Sequence, residues 1–226
     1  ALVLKAEKII IATGSEPLEI PTFPFDHKNI LSSTSILALK SLPKSLAIIG
    51  GGYIGCEFAS LFAELGVKVH IIEAMDNILL QQDPAIRKVL EKKLLKEGVE
   101  IHTQAKVNKI TKAKTGLSLS LANKKTLKAE KALVAIGRKL NSDALDLSNA
   151  GLCPAKQGAY IEVNEYMQTH VDHIYAIGDV TGKALLAHVA SHQGIIAAQN
   201  ACGQKHKMDY SAVPAVVFTH PEIATV

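Results

Sequence analysis

The sequence predicts an α/β protein organised around a parallel β-sheet, and two observations carry this prediction. Residues 45–73 contain an apolar run too short for a helix, then a helical pattern, then a second β-branched run, which is the order of a βαβ unit. Further short apolar runs end on Gly14, Gly137 and Gly178. A glycine at the carboxyl end of a buried strand lets the backbone approach a ligand or another strand closely. With 226 residues, 48% of them hydrophobic, the chain can bury the core of one large domain or two of typical size.

Composition and charge exclude several classes of function. The formal net charge of +4 is mild, and lysines are interleaved with acids, as in residues 87–93, which favours a solvated helix face over a nucleic-acid patch. No apolar run reaches membrane-spanning length, and nothing resembles a signal peptide. Three scattered cysteines without metal spacing favour a reducing, cytoplasmic location: Cys56, Cys153 and Cys202. The chain opens without Met and stops within an apolar pattern, so we expect a piece of a longer protein.

The first 49 residues are predicted to contain strands, a proline-rich crossing and a short helix. Residues 1–15 form two strand pieces, the second ending in a small-residue turn. Three prolines between residues 17 and 24 then make an extended crossing, which is a candidate domain boundary. Residues 32–40 are predicted to form a helix that a hydroxyl side chain caps. Pro43 ends this helix before the strand at residues 45–49.

Residues 50–73 form a complete dinucleotide-binding fingerprint. Gly50, Gly52 and Gly55 have the spacing G-x-G-x-x-G between a strand and a helix, and the second strand ends on Glu73. The first glycine permits the tight turn, the second lets a pyrophosphate approach the helix N-terminus, and the third lets the helix pack on the strand. A carboxylate at Glu73 would accept hydrogen bonds from a ribose diol. Residues 74–77 contain no Arg or Lys to bind a 2′-phosphate, so the sequence predicts NAD rather than NADP.

A second helix and a third strand follow. Asp83 is the predicted N-cap, Pro84 occupies the first turn, and Gly98 ends the helix before a strand at residues 99–102. The buried face of this helix is predicted to comprise Ile86, Val89, Leu90 and Leu94.

A three-stranded antiparallel meander then replaces a crossover helix. Residues 106–113, 116–121 and 126–128 alternate apolar and polar side chains, with turn residues between them. The chain returns to the sheet through residues 132–137. Gly137 therefore lies at the carboxyl end of a strand and is a second candidate for backbone contact with NAD.

The last part of the chain is predicted to contain a turn-rich link, two strands and a helix. Residues 148–165 form the link, which ends in a strand at 159–163. A buried strand then ends in Gly178-Asp179, where the aspartate is either a helix cap or an acceptor for a polyol hydroxyl; the residues alone favour the cap. Residues 185–202 are predicted to form an apolar, alanine-rich helix.

Six motifs in this order resemble the flavin-dependent disulfide oxidoreductases. The motifs are residues 11–15 (IATGS), 50–57 (GGGYIGCE), 135–138 (AIGR), 175–180 (YAIGDV), 186–188 (LAH) and 219–222 (THPE). The resemblance implies a Rossmann-type NAD-binding domain, a parallel sheet plus a three-stranded antiparallel meander, inserted in a partial FAD-binding domain. On that basis residues 1–27 end a first FAD segment, 28–147 form the NAD domain, 148–212 return to the FAD domain, and 213–226 begin an interface domain.

The resemblance also implies two sets of cofactor-binding residues. Those matching NAD contacts are Gly50, Gly51, Gly52, Tyr53, Ile54, Gly55, Cys56, Glu57, Glu73 and Gly137, with Val107 a weaker match near the adenine. Those matching positions that line FAD are Thr13, Gly14, Ser15, Asp179, Leu185, Leu186, Ala187 and His188. In the family, Asp179 would bind ribityl hydroxyls, and Glu57 would pair with a lysine beside the flavin, although Glu57 could equally be an ordinary helix-surface charge.

No catalytic residue and no metal site is predicted within these 226 residues. The family's redox cysteine pair, the Gly-rich loop of its FAD domain and its catalytic His-Glu pair have no counterpart in the sequence. The motif at 219–222 is not that acid-base site, because in the family it opens the interface domain. His188 and His192 lie four residues apart, as some zinc ligands do, but without a visible third ligand we expect a packing or flavin contact.

Within the family, the motifs are most similar to the branch that oxidises dihydrolipoamide. This similarity implies FAD and NAD as cofactors, dihydrolipoamide on a lipoyl domain as substrate, a 2-oxo acid dehydrogenase complex as partner, and a homodimer. Two alternatives remain open from the residues. One is another reductase of the glutathione or mercuric type, which would favour NADP, and the other is a non-catalytic dinucleotide-binding fragment.

Overall fold

A computed structural model describes residues 3–152 and 160–226. The chain divides into two compact units. Residues 17–137 together with 216–225 form one, called here the inserted unit, and residues 1–16 together with 138–215 and 226 form the other, called the flanking unit. The assignment of NAD, FAD and interface domains to stretches of the chain remains a prediction.

The chain alternates strands and helices. In chain order the strands are β1 Ile9–Ile11, β2 Ser15–Pro17, β3 Ile30–Leu31, β4 Ser45–Ile49, β5 Lys68–Ile72, β6 Glu100–His102, β7 Val107–Lys112, β8 Leu117–Leu121, β9 Thr126–Ala129, β10 Lys131–Val134, β11 Arg138–Leu140, β12 Ile174–Ala176, β13 Ala215–Val217 and β14 Ile223–Thr225. The α-helices are α1 Tyr53–Glu64, α2 Pro84–Lys96 and α3 Ala187–Ala201, and 3₁₀ turns cover Ser35–Ala38, Asp143–Leu145, Leu147–Ala150 and Gly178–Thr181.

The inserted unit is built on a parallel sheet with strand order β3-β10-β4-β5-β6. Strands β7, β8 and β9 form a separate antiparallel meander. Both the α/β class and the combination of a parallel sheet with a three-stranded meander are therefore confirmed. The strand predicted at residues 45–49 matches β4, and the predictions for β5 to β9 agree within one residue. The strand predicted at 132–137 ends earlier, at Val134, and β3 was not predicted.

Each face of this sheet carries its own hydrophobic cluster, because side chains alternate along a strand. Ile48 and Ile71 point toward helices α1 and α2, where they join a cluster that contains Leu90 and Leu94. Ile49 and Ile72 point to the other face, where the second cluster includes Leu117, Leu119 and Leu121 of the meander. The meander thus covers the face that a crossover helix covers in a standard doubly wound sheet.

The hairpin of β13 and β14 packs on α1 in the inserted unit. Val217 and Ile223 are buried in the same cluster as the apolar side of α1. Ser60 Oγ on this helix accepts a hydrogen bond from the backbone N–H of His220 at 3.1 Å. A segment far away in the sequence therefore completes the core on the helix side.

The flanking unit contains short paired strands and one long helix. Strand β1 pairs with β12 in parallel, β2 pairs with β11, and α3 packs on β12 and the turn Gly178–Thr181. Its core includes Met167, Tyr175 and Ala197. Ile9 and Ile10 on β1 remain 43% and 38% exposed.

Helix α2 begins as predicted but buries a narrower face. Asp83 Oδ1 accepts a hydrogen bond from the N–H of Ala85 at 2.7 Å, which confirms the N-cap, and Pro84 is the first residue of the helix. Leu90 and Leu94 are fully buried, whereas Ile86 and Val89 are 37% and 58% exposed, so the predicted four-residue face is wrong in its first half.

Three predicted elements do not form. Residues 32–40 contain one 3₁₀ turn rather than an α-helix, because Ser32 and Ser35 use their side chains to bond the local backbone. Residues 3–5 form no strand. Residues 160–163 also form none, although Ile161 and Val163 are buried as the alternation predicts; residue 159 lies outside the described part.

Candidate functional site

The glycine loop between β4 and α1 is packed against the protein on one side and open on the other. Gly50 has φ +109°, and a Cβ on it would lie 2.3 Å from the carbonyl oxygen of Ala135. A Cβ on Gly55 would lie 2.0 Å from the carbonyl oxygen of Gly50. A Cβ on Gly52, by contrast, would have no protein atom within 4 Å. Only glycine fits at 50 and 55 for internal reasons, whereas the space at Gly52 is free for a ligand.

The first turn of α1 presents uncapped backbone amides beside that space. Gly52 is the N-cap residue and has no side chain to accept their hydrogen bonds, and the first turn contains no acidic residue. Free N–H groups and the positive end of the helix dipole favour an anion at this position. The loop therefore has the geometry and the charge that a pyrophosphate requires.

Glu73, directly after β5, is held by two backbone amides. Its Oε2 accepts a hydrogen bond from the N–H of Gly51 at 2.6 Å, and its Oε1 accepts one from the N–H of Met75 at 2.8 Å. A carboxylate oxygen can accept more than one hydrogen bond, so both oxygens retain capacity for ribose hydroxyls. The carboxylate is thus fixed next to the glycine loop before any ligand arrives.

Two other predicted NAD contacts flank this arrangement. Gly137 follows β10, which neighbours β4, so it lies at the same edge of the sheet as Gly50. Gly137 is exposed, has φ +137°, and its carbonyl oxygen accepts a hydrogen bond from the N–H of Leu18 at 3.0 Å. Val107 is buried between the sheet and the meander, and its side chain belongs to the core.

The remaining residues of the glycine motif have structural contacts. Tyr53 Oη accepts a hydrogen bond from Gln82 Nε2 at 2.8 Å, and Ile54 is half-buried. Cys56 is fully buried, and burial raises the pKa of its thiol to about 12. Glu57 accepts a hydrogen bond from the backbone N–H of Phe218 at 2.9 Å, and no lysine in the described ranges pairs with it. The flavin-side ion pair of Glu57 therefore stays a prediction.

Two of the predicted flavin residues of the flanking unit, Ser15 and Asp179, meet in a polar cluster with Arg138. Ser15 Oγ donates a hydrogen bond to Asp179 Oδ2. Arg138 Nε lies 2.6 Å from Ser15 Oγ and 3.7 Å from Asp179 Oδ2, and its second guanidinium nitrogen donates to the carbonyl oxygen of Ser15 at 2.8 Å. Thr13 and Gly14 exchange hydrogen bonds with Asn141 beside this cluster. Side chains thereby link the start of β2, the start of β11 and the segment after β12.

The structure tests one of the two roles that the residues left open for Asp179, the helix cap. Asp179 lies inside the turn Gly178–Thr181, and neither that turn nor α3 has a side-chain cap. The cap interpretation is therefore wrong. The carboxylate faces Ser15 and Arg138 instead. Arg138 was not among the predicted site residues, and its position directly after Gly137 was the signal that could have identified it.

The residues before and at the start of α3 are partly or fully exposed, with Leu186 the most buried of Leu185, Leu186, Ala187 and His188. His188 Nε2 donates a hydrogen bond to the carbonyl oxygen of Pro214 at 2.9 Å. Both His188 and His192 line a cavity of about 330 Å³. No group of metal-ligating side chains in the described ranges includes either histidine, and the packing or flavin contact stays a prediction.

Across residues 3–152 and 160–226, no helix combines the length and the apolar composition needed to cross a membrane.

Comparisons with known proteins agree with the fold and with the sequence motifs. The family model of the pyridine nucleotide-disulphide oxidoreductases matches residues 2–194. A dihydrolipoyl dehydrogenase of Chlamydia pneumoniae is 51% identical over 224 residues, which cover 99% of this chain and 48% of the relative. The crystal structure of LpdA from Mycobacterium tuberculosis superposes with a TM-score of 0.92 at 33% identity, covering 97% of this chain and 48% of that one.

A further solved structure, the HOCl-induced flavoprotein disulfide reductase RclA from Escherichia coli, has a TM-score of 0.88 at 32% identity and covers 96% of this chain and 50% of its own. The chain therefore spans about half the length of the relatives it matches. Because the family model covers most of the sequence and the motifs occur in the family's order, this chain belongs to the pyridine nucleotide-disulphide oxidoreductases.

Proposed function

We propose that the inserted unit binds NAD and that the full-length protein is a flavin-dependent dihydrolipoyl dehydrogenase, which oxidises dihydrolipoamide to lipoamide. The observation that carries the proposal is Glu73, whose carboxylate is fixed by the amides of Gly51 and Met75 next to an open glycine loop. The name of the 51% identical relative supports the substrate.

The residues present fit NAD at three points. The amides at the start of α1 and the open space at Gly52 would hold the pyrophosphate. Glu73 would accept hydrogen bonds from the adenosine ribose, and the exposed backbone at Gly137 would contact the dinucleotide along the sheet edge. NAD would supply the hydride acceptor of the reaction. The protein's own contribution is to bind and orient the dinucleotide.

The flanking unit would contribute to an FAD site. Asp179, oriented by Ser15 and Arg138, would accept hydrogen bonds from the ribityl hydroxyls. Thr13, Gly14 and the residues Leu185–His188 would line the flavin. FAD would supply the two-electron relay between dithiol and NAD. The complete protein would act as a homodimer on dihydrolipoamide carried by a lipoyl domain, within a 2-oxo acid dehydrogenase complex in the cytoplasm.

The choice of NAD over NADP separates this proposal from a glutathione or mercuric type of reductase. A 2′-phosphate would bring negative charge against Glu73, and residues 74–77 provide no cation to balance it. Loss of a charge-assisted hydrogen bond costs about 1.5–3 kcal/mol. The like-charge repulsion adds to that cost, so we expect NADH to bind at least about tenfold more tightly than NADPH.

Calorimetric titration of the 226-residue chain with NADH and with NADPH tests this expectation. Glu73→Gln should weaken NADH binding and reduce the preference for NADH over NADPH, because the neutral amide accepts hydrogen bonds less well than a carboxylate. Glu64→Gln, an exposed carboxylate at the end of α1, is the matched control and should leave both affinities unchanged. Equal affinities of the unmodified chain for the two nucleotides would contradict the assignment.

A further inference from the structure

Three side chains at the edge of the parallel sheet have no role in the proposed function. His70 lies on β5, and Glu100 and His102 lie on the edge strand β6. The parallel register pairs His70 with Glu100 and Ile72 with His102, and side chains two apart on a strand share a face. All three side chains therefore project from the same face of the sheet. One possible metal-ligating atom from each lies within 4.8 Å of the other two.

The two distances from imidazole nitrogen to carboxylate oxygen in this cluster are close to the spacing of ligands around a metal ion. His70 Nδ1 lies 3.3 Å from Glu100 Oε2, and His102 Nε2 lies 3.7 Å from the same oxygen. Tetrahedral zinc with bonds of about 2.0–2.2 Å separates its ligand atoms by about 3.3–3.5 Å. An ion between the three side chains would require only small movements of their side chains.

The two imidazole nitrogens that face Glu100 lack hydrogen-bond partners. His70 is only 5% exposed, and neither its Nδ1 nor His102 Nε2 has a hydrogen-bond partner among the described residues, although Glu100 Oε2 lies 3.3 and 3.7 Å from them. Burying a polar atom without a partner costs free energy, so an unsatisfied pair aimed at one carboxylate needs an explanation. A metal ion would satisfy both nitrogens at once.

We propose that His70, Glu100 and His102 form a binding site for a divalent transition-metal ion of the zinc type. Two imidazoles and one carboxylate, with water in the fourth position, are a standard ligand set for Zn²⁺. Hard cations such as Mg²⁺ prefer an all-oxygen shell and fit poorly. The ion would enter from the side of Glu100, because the side chain of Glu100 is 46% exposed and that of His102 only 25%.

Lys68 modulates this site without blocking it. Its Nζ lies 3.1 Å from Glu100 Oε1, the oxygen that does not face the histidines. The lysine therefore orients the carboxylate as an outer partner, and Oε2 is left for the metal. The positive charge of the lysine also opposes a cation, so we expect a moderate rather than a very tight affinity.

The test is calorimetric titration of the 226-residue chain with Zn²⁺ and, separately, with Mg²⁺. We expect one Zn²⁺ ion to bind per chain and no measurable binding of Mg²⁺. Loss of a residue that only supports a metal ligand already lowers metal affinity about 10–100-fold. His102→Ala and Glu100→Gln, which remove proposed ligands, should therefore each lower the affinity for Zn²⁺ at least about tenfold. His173→Ala, an exposed histidine of the flanking unit, is the control and should bind as the unmodified chain does.

A thermal unfolding series gives a second readout. Zn²⁺ should raise the unfolding temperature of the unmodified chain and of the control, but not that of His102→Ala. Should His102→Ala fail to fold, Glu100→Gln decides, since its side chain is nearly half exposed. Zn²⁺ affinity that is the same in the unmodified chain and in Glu100→Gln would overturn the site, as would the absence of stoichiometric Zn²⁺ binding. Neither outcome bears on NAD binding.

Discussion

Backbone amides hold the candidate ligand residue of the inserted unit, whereas side chains hold that of the flanking unit. Glu73 is fixed by the N–H groups of Gly51 and Met75, and it follows a central strand of a sheet that is covered on both faces. Asp179 is fixed by Ser15 and Arg138 at the ends of two-stranded sheets, where Ile9 and Ile10 remain exposed.

The carboxylate of Glu73 is therefore held in place before any ligand binds, whereas the position of Asp179 depends on neighbouring side chains. Backbone amides keep their positions as long as the strand and the loop persist, so the Glu73 site should be as stable as the inserted unit itself. A partly exposed network of three side chains contributes little alone, because each member loses side-chain entropy and is partly solvated. We therefore expect the two units to respond differently to the same kinds of change.

The largest expected effect is on thiol reactivity. Cys56 is fully buried in the inserted unit, whereas Cys202 is exposed in the flanking unit. Burial raises the pKa of Cys56 to about 12, so its thiolate does not form in the folded unit even near pH 9.0, the ordinary pKa of a thiol. Cys202 should be alkylated at least about a hundredfold faster than Cys56, as measured by peptide mass spectrometry.

A pH series checks the physical cause. Raising the pH toward 9.0 should leave the alkylation rate of Cys56 unchanged until the unit unfolds. Because the folded-state pKa of Cys56 is raised, its protonated thiol stabilises the fold below pH 9.0, and this contribution is lost as the pH rises toward 12. Comparable alkylation of Cys56 and Cys202 at neutral pH would contradict the expected difference in thiol reactivity between the two units.

The next effect is on the stability of the glycine loop. Gly50→Ala would combine a left-handed backbone with a Cβ placed 2.3 Å from the carbonyl oxygen of Ala135. We expect a loss of about 3 kcal/mol or more in the free energy of unfolding. Gly98→Ala is the matched control, since its φ is +84° but its Cβ would meet nothing within 4 Å, and it should cost only about 1 kcal/mol. Equal losses in denaturant unfolding would show that steric contact with Ala135 is unimportant.

Gly52→Ala should separate stability from binding. The residue has φ −78°, which alanine adopts readily, and its Cβ would meet no protein atom. The free energy of unfolding should therefore stay unchanged or increase by about 0.4–1 kcal/mol, because the unfolded chain loses conformational freedom. NADH affinity should fall at least about tenfold, since the methyl group occupies the space proposed for the pyrophosphate. Unchanged affinity in calorimetry would mean that the nucleotide binds elsewhere.

The smallest effect is expected in the flanking unit. Asp179→Asn removes the charge that Arg138 and Ser15 share, at a partly exposed site, so we expect a loss of about 1 kcal/mol or less. Hydrogen exchange should increase in β2 and β11 and remain unchanged around Glu73. Asp172→Asn, an exposed aspartate of the same unit, should change neither region. A large increase in exchange around Glu73 would contradict the independence of the two sites.

Local sequence patterns predicted the glycine loop and Glu73 well, because both lie within residues 50–73. The glycine spacing, the helix and the terminal carboxylate are all close in the chain, so pattern and structure coincide. The hydrogen bond from Gly51 to Glu73 could not be predicted in detail, but the approach of loop and strand end could.

Contacts between distant residues were not predictable in this way. Arg138 meets Ser15 across 123 positions, and β2 gives no strand pattern because its residues are Ser, Glu and Pro. The cluster of His70, Glu100 and His102 likewise depends on the pairing of β5 with β6. The one local signal there was that Glu100 and His102 alternate on a single strand and so share a face.

The hairpin β13–β14 sets an order of events during protein synthesis. Val217 and Ile223 complete the helix-side cluster of a unit whose other residues end at Gly137, and residues 138–215 are made in between. At about 5–20 residues per second, the ribosome needs on the order of ten seconds for that stretch. During this time the side of α1 that carries Glu57 and Ser60 has no hairpin to cover it. A nascent chain paused before residue 216 would therefore expose apolar surface that a chaperone can bind, and release of the pause would bury it.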